Sequence, residues 1–148
     1  MLLKLLKRLR KKRNTDTSKE PETKSLGNKG EAETATWLQK QGFKVIEQNY
    51  RKRFGEIDII ATKKDLIVFV EVKARKNSFF SMSLLVTPSK QKKIIKTAKD
   101  FLSKHDFQNK SIRFDIALLD YSASKSEQIK YISNAFCGSE LSSSGQNL

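Results

Sequence analysis

The chain has 148 residues, 37% of them hydrophobic, which is enough for one modest core but not for two. Its 30 Lys and Arg against 16 Asp and Glu give a net charge of +14. This excess favours a polyanionic partner, nucleic acid before an anionic membrane surface, unless it is only a well-solvated basic surface. A single cysteine and a single histidine exclude an internal disulfide, a cysteine-built zinc site and a His-rich metal centre, and they fit a reducing, cytoplasmic setting.

The first 26 residues are predicted to form a flexible arm and linker outside the folded domain. Residues 1–13, MLLKLLKRLRKKR, contain seven Lys and Arg, no acid, and leucines at helical spacing. They fit a frayed basic arm, or else a basic amphipathic helix at a lipid or nucleic-acid surface. The polar stretch that follows contains Pro21 and has no apolar periodicity, so it is interpreted as a linker.

Residues 27–136 are predicted to form the domain, and residues 137–148 a disordered tail. A first helix is expected over GNKGEAETATWLQKQG, with Asn28 as its N-cap and Gly42 closing it. A second long helix is expected to begin at Thr87 and Pro88. The order α-β-β-β-α-β-β implies an α/β fold with a mixed central sheet flanked by helices. The expected strands cover residues 43–51, 54–61, 66–73, 112–120 and 128–136.

Three acids and a lysine interrupt the two strongest strand candidates, GEIDIIA and IVFVEVK. Because side chains alternate between the faces of a strand, Glu56 and Asp58 should share one face, and Glu71 and Lys73 should also share one. A hairpin turning at residues 64–65 would place Asp58 opposite Glu71 and Glu56 opposite Lys73. Opposed side chains start roughly 5 Å apart, so the carboxylates of Asp58 and Glu71 would repel each other unless a cation lay between them.

That pairing predicts a metal site for phosphodiester chemistry. Mg²⁺ takes hard oxygen ligands, commonly one or two carboxylates together with water and phosphate oxygens, and Mn²⁺ is an alternative. Lys73, two residues after Glu71, would position or deprotonate a water and neutralise charge on a phosphate. A solvated ion network among the same side chains is the alternative, because alternating charge on one sheet face is common.

The motifs GNKGEAET, RFGEIDIIA, IVFVEVKAR, VTPSKQKKI and IRFDIAL, in this order over about residues 27–136, resemble the YraN family of small bacterial proteins. That family is similar to a branch of the PD-(D/E)XK superfamily of restriction-endonuclease-like nucleases. The resemblance implies a restriction-endonuclease-like core and a Mg²⁺-dependent nuclease acting on DNA. It also implies that Asp58 and Glu71 are the two metal-binding acids, that Lys73 is the catalytic lysine, and that Glu31 is a further acid from the first helix.

Two of these positions carry qualifications. Ile57 stands where the literal motif has proline, a residue that is commonly missing in this superfamily. Glu31 follows Asn28 by three residues, so it would alternatively complete a capping box at the start of the first helix.

Contacts to nucleic acid, DNA more than RNA, are expected from side chains around the acidic pair. A solvated helix face is the alternative for the lysine run over residues 90–99. The side chains predicted to bind nucleic acid are Arg51, Lys52, Arg53, Arg75, Lys90, Gln91 and Lys93.

Several further predictions complete the sequence interpretation. Asp115 lies in an apolar strand and is expected to form a buried ion pair with Arg113 or another basic residue. Trp37 is expected in the core. A homodimer is possible, since resolvase-like relatives often act as dimers. The rival functions are a nucleic-acid-binding module that does not cut, and a membrane-surface or adaptor role of the basic arm.

Overall fold

The structure is a computed structural model that describes residues 21–76 and 86–138. Its elements follow the predicted order, so the predicted α/β fold is confirmed, and it is consistent with a restriction-endonuclease-like core. They are α1 (Glu22–Lys40), β1 (Lys44–Lys52), β2 (Gly55–Lys63), β3 (Leu66–Arg75), α2 (Pro88–Ser103), β4 (Ser111–Asp120) and β5 (Ile129–Phe136). The predictions for the basic arm over residues 1–13 and for most of the C-terminal tail fall outside the described residues.

The five strands form one mixed sheet in the order β1-β2-β3-β4-β5. The pairs β1–β2, β2–β3 and β4–β5 are antiparallel, whereas β3 and β4 are parallel. A parallel pair needs a crossover connection, and α2 lies within it. Neither described helix is long and apolar enough to cross a membrane.

The sheet carries a hydrophobic cluster on each side. One cluster joins α2 to the sheet through Ile94, Ala98 and Phe101, and the other joins α1 to the sheet through Ala35 and Leu38. Burying one such side chain contributes about 1.5–3 kcal/mol, so both helices are held by their apolar faces.

The second helix also begins where the sequence predicts. Thr87 is its N-cap and accepts a hydrogen bond from the backbone N–H of Lys90 at 3.3 Å, and Pro88 occupies the first turn. The first helix likewise closes as predicted, because Gly42 adopts a left-handed φ of 87° just after its end.

The predicted start of the first helix is wrong. α1 begins at Glu22 after Pro21 and continues through Asn28, so Asn28 is not its N-cap and the capping-box interpretation of Glu31 does not hold. The linker boundary predicted at residue 26 is also wrong, because residues 22–26 are helical. Glu22 suits the positive end of the helix dipole and forms an ion pair with Lys76 after β3, and these contacts extend the helix backwards.

The side chains of β2 do not alternate regularly between the two faces of the sheet around Asp58. Strict alternation would group Ile57 with Ile59 and Ala61, yet Ile57 packs in the cluster on the α2 side, while Ile59 and Ala61 pack on the α1 side. On the neighbouring strand β1, Asn49 has a left-handed φ of 54°. The ladder is therefore irregular beside Asp58, as bulged strands often are near functional sites.

Candidate active site

The acidic pair, Asp58 and Glu71, lies where the β2–β3 ladder ends. The hairpin turns at residues 64–65 and its pairing runs from Lys63–Leu66 to Ile59–Val70, which is the predicted register. Asp58 and Glu71 occupy the next position of that register. The two side chains are close enough for the negative charge of Glu71 to raise the pKa of Asp58, and their roles at the site stay predictions.

Asp58 takes part in the backbone bonding of the neighbouring strand. It is 9% exposed, and its Oδ2 accepts a hydrogen bond of 2.7 Å from the N–H of Val72, two residues beyond the last β2–β3 pair. The pKa of Asp58 is raised from 3.8 to about 7, mainly by burial and then by the negative charge of Glu71. Glu31 and Glu56 contribute smaller increases, and the Val72 hydrogen bond partly opposes them. Asp58 therefore holds a proton at higher pH than an exposed carboxyl does.

Glu71 is more deeply buried, at 5% exposure, and its two oxygens have different surroundings. Oε1 lies 3.0 Å from the ammonium of Lys73 and 3.6 Å from that of Lys90. Oε2 is buried and has no hydrogen-bond partner among the described residues. A buried carboxylate oxygen without a partner costs free energy, so this atom marks a position that a bound cation or water would satisfy.

These residues fit a Mg²⁺ ion that completes its shell with water and substrate oxygens. Within residues 21–76 and 86–138, no group of three or more Asp, Glu, His or Cys side chains converges as a ready-made metal cage. Asp58 and Glu71 instead supply two hard carboxylates, and one oxygen of Glu71 is unsatisfied. One or two carboxylates with several retained waters is the common arrangement for Mg²⁺ at phosphate-processing sites.

Glu31 lies near this pair without bonding to it. It is half-buried on α1, and its charge raises the pKa of Asp58. The neighbouring residue Gly30 allows α1 to pack closely on β3, because a Cβ at Gly30 would lie only 2.9 Å from the Cβ of Ala74 on β3. Close contact between α1 and β3 thus brings Glu31 within electrostatic range of Asp58.

The predicted opposition of Glu56 and Lys73 is wrong. The β2–β3 ladder ends before that position, and Glu56 forms an ion pair of 3.3 Å with Arg51 on β1 instead. Lys73 binds Glu71 on its own strand. The solvated ion network is also excluded for Glu71, because that side chain is buried.

A groove of about 670 Å³ lies between the β1–β2 turn and α2, and we call it the basic groove. Predicted contact residues from both elements line it: Arg51, Lys52, Arg53, Lys90 and Lys93. Lys90 also contacts Glu71, so the basic groove and the acidic pair adjoin through one side chain.

Two predicted contact residues do not line the basic groove. Arg75 is exposed and donates to the carbonyl of its neighbour Ala74 at 3.2 Å. Gln91 donates from its amide to the carbonyl of Val86 at 3.1 Å. Of the other lining residues, Phe54, Gly55 and Glu56 were not predicted as contacts, whereas Lys92 and Lys96 belong to the lysine run over residues 90–99. The run RKRF at residues 51–54, an aromatic after three cations, was the available signal for Phe54.

Asp115, the other buried acid of the sheet, forms the predicted ion pair. Arg113 donates to its Oδ1 from Nε and to its Oδ2 from the guanidinium end, both at 2.8 Å. Trp37, expected in the core, is half-buried and stacks on Tyr131 with ring centroids 4.7 Å apart.

Comparison with known proteins places this architecture in a family. Residues 30–119 match the family described as "Uncharacterised protein family UPF0102". A UPF0102 protein of Alkaliphilus metalliredigens is 40% identical over 115 residues, covering 77% of this chain and 99% of its own. One from Geobacter metallireducens is 42% identical over 114 residues, covering 76% of this chain and 93% of its own. The YraN family is the UPF0102 family. The chain therefore belongs to the UPF0102 family, as its motifs predict.

Proposed function

We propose that this protein is a metal-dependent nuclease that hydrolyses phosphodiester bonds in DNA, branched or single-stranded forms included. The observation that carries the proposal is the acidic pair: two buried carboxylates at the end of a ladder, with an unsatisfied oxygen on Glu71 and two lysines on its other oxygen. A purely structural acid would have its hydrogen bonds completed.

In this proposal each side chain has a separate task. Asp58 and Glu71 hold the divalent cation, Mg²⁺ or Mn²⁺, which when bound polarises the phosphate and acidifies a water. Lys73 lies beside the acidic pair, and it orients the attacking water or accepts its proton. Lys90 lies between Glu71 and the basic groove, where its charge attracts the phosphate that is to be cut. Glu31, on α1, adds negative charge near the acidic pair.

The test is cleavage of labelled single-stranded, duplex and four-way-junction DNA, with Mg²⁺, with Mn²⁺ and with EDTA. Wild type is compared with Asp58→Asn, which can still accept the Val72 hydrogen bond, and with Asp65→Asn, an exposed acid at the opposite end of the same hairpin. Metal-dependent cutting by wild type and by Asp65→Asn, absent in Asp58→Asn, is expected. Cutting that survives in Asp58→Asn or in EDTA would contradict the proposal.

A nucleic-acid-binding module that does not cut is the second candidate, and the basic groove is the observation that favours it. Its affinity would depend strongly on salt, because cations that neutralise phosphates release counterions. Binding by wild type and Asp58→Asn alike, with no cutting of any substrate, would support this candidate over the nuclease. In either case the proposed location is the cytoplasm.

A further inference from the structure

The basic groove has walls that are fixed against each other. Gly55, which follows the β1–β2 turn, touches α2 so closely that a Cβ there would lie 2.6 Å from Oγ1 of Thr97 and 3.0 Å from the carbonyl oxygen of Lys93. Thr97 is fully buried and its hydroxyl donates to the same carbonyl at 2.7 Å. The turn and the helix therefore present their side chains at a constant separation.

The cations of the basic groove differ in whether an acid neutralises them. Arg51 pairs with Glu56, Lys52 with Asp100 at 3.7 Å, and Lys90 with Glu71. Each of these side chains has part of its charge compensated by the protein itself.

The four other cations of the basic groove have no acidic partner in the described part of the chain, namely Arg53, Lys92, Lys93 and Lys96. Lys92 and Lys93 lie in the second turn of α2, and the first turn carries no acid. Unpaired like charges repel one another, and an anion bound between them would relieve that repulsion. A row of phosphates would do so.

Phe54 adds an aromatic ring to this set of cations. It lies in the turn before Gly55 and is half-buried, and the ammonium of Lys96 lies 4.8 Å from the centre of its ring. A ring next to cations in a groove is the combination by which proteins hold unpaired strands, with a base on the ring and its phosphates on the cations. Bases inside a duplex stack on one another, so they do not reach such a ring.

We propose that the basic groove binds single-stranded nucleic acid, with a base stacked on Phe54 and the phosphates on Arg53, Lys92 and Lys93. The strand then passes Lys90 to the acidic pair, a step that rests on the nuclease function proposed above. The substrate class is thus a polynucleotide that is unpaired beside the cutting position.

Binding in EDTA tests the occupant of the groove independently of cleavage. Fluorescence anisotropy would measure the affinity of the full chain for labelled oligothymidine, oligouridine and a duplex, at several salt concentrations. The variants are Phe54→Leu, which keeps an apolar side chain but removes the ring, and the double change Lys92→Gln with Lys93→Gln. The matched control is Lys130→Gln, an exposed lysine on β5 at the opposite edge of the sheet.

Phe54→Leu is expected to weaken single-strand binding about tenfold and to leave duplex binding nearly unchanged. The double lysine variant should lower the slope of log affinity against log salt by about 1.4 for the single strand, because each phosphate contact contributes about 0.7. Lys130→Gln should change neither quantity. A tighter complex with oligothymidine or with oligouridine would show which of these DNA and RNA probes the groove prefers, and either result supports the proposal.

The proposal is overturned if Phe54→Leu weakens duplex and single-strand binding equally, or if the double lysine variant keeps the wild-type salt slope. These outcomes are independent of the nuclease proposal. A protein that cuts but binds duplex better than single strand keeps the nuclease and loses the single-strand groove. A protein that binds as expected but never cuts keeps the groove and loses the nuclease.

Discussion

Asp115 and Glu71 are buried acids on neighbouring parallel strands, but their carboxylates differ in how completely they are hydrogen-bonded. Asp115 on β4 receives hydrogen bonds from Arg113, from the hydroxyl of Tyr131 at 2.6 Å and from the backbone N–H of Asn134 at 2.8 Å. Glu71 on β3 has lysines at one oxygen and no partner within the described chain at the other. Of these two buried acids, Asp115 thus has its hydrogen bonds completed, whereas Glu71 keeps one oxygen unsatisfied.

The largest effect on stability is expected at Asp115. Asp115→Ala would leave the half-buried guanidinium of Arg113, the Tyr131 hydroxyl and the Asn134 N–H without their acceptor. We expect a loss of about 3–5 kcal/mol in the free energy of unfolding, measured by urea denaturation. Asp106→Ala, at an exposed acid, should stay within about 0.5 kcal/mol. A loss under about 1 kcal/mol at Asp115 would contradict the comparison.

Glu71→Gln should reduce DNA cleavage strongly and change stability little. Removing the charge weakens metal binding, so cleavage of DNA in Mg²⁺ should fall by at least about 100-fold. The free energy of unfolding should change by no more than about 1 kcal/mol, because no completed hydrogen-bond network is lost. Both quantities are measured on one preparation. A variant as unstable as Asp115→Ala would show that Glu71 is a structural acid after all.

The pH dependence of stability follows from the raised pKa of Asp58. Between its unfolded value of 3.8 and its folded value of about 7, the folded protein holds a proton that the unfolded chain releases. Stability of the metal-free protein should therefore fall as pH rises through this window, by on the order of 2–4 kcal/mol from this group. Urea denaturation in EDTA at several pH values measures the fall.

Asp58→Asn is the variant that isolates this effect. It cannot titrate, so its stability should vary less across the same window and should exceed that of wild type above pH 7, while Asp65→Asn should follow wild type. Parallel curves for wild type and Asp58→Asn would show that Asp58 does not bind the extra proton. Adding Mg²⁺ at high pH should stabilise wild type and leave Asp58→Asn unchanged.

The smallest effect concerns packing near the acidic pair. Gly30→Ala would place a Cβ 2.9 Å from that of Ala74, and we expect a loss of about 1–3 kcal/mol on chemical denaturation. Gly27→Ala, one turn earlier on α1 with nothing within 4 Å, should instead stabilise the helix by about 0.5–1 kcal/mol. Equal effects at both glycines would mean that α1 does not contact β3 closely.

Local patterns predicted much of this fold correctly. The turn at residues 64–65 and the alternating apolar residues were enough to obtain the register of the β2–β3 hairpin, because a slip by one residue would turn every side chain to the wrong face. Thr87 and Pro88 located the start of α2 for an equally local reason, since a cap bonds within its own turn. The order of the elements along the chain and the ion pair of Asp115 with Arg113 followed in the same way.

Long-range contacts decided what these patterns missed. α1 begins at Glu22, and the ion pair of Glu22 with Lys76 joins that end of the helix to a residue over 50 positions away, while Asn28 offered only a local cap. Glu56 turns to Arg51 because the ladder stops at Ile59, and Phe54 joins the basic groove because Gly55 lets its turn touch α2. By itself the sequence determined the elements, the hairpin register and the acids at its end, since these depend on near neighbours. Only the tertiary structure decided which oxygen of Glu71 lacks a partner and which cations share a groove, because both depend on segments far apart in the chain.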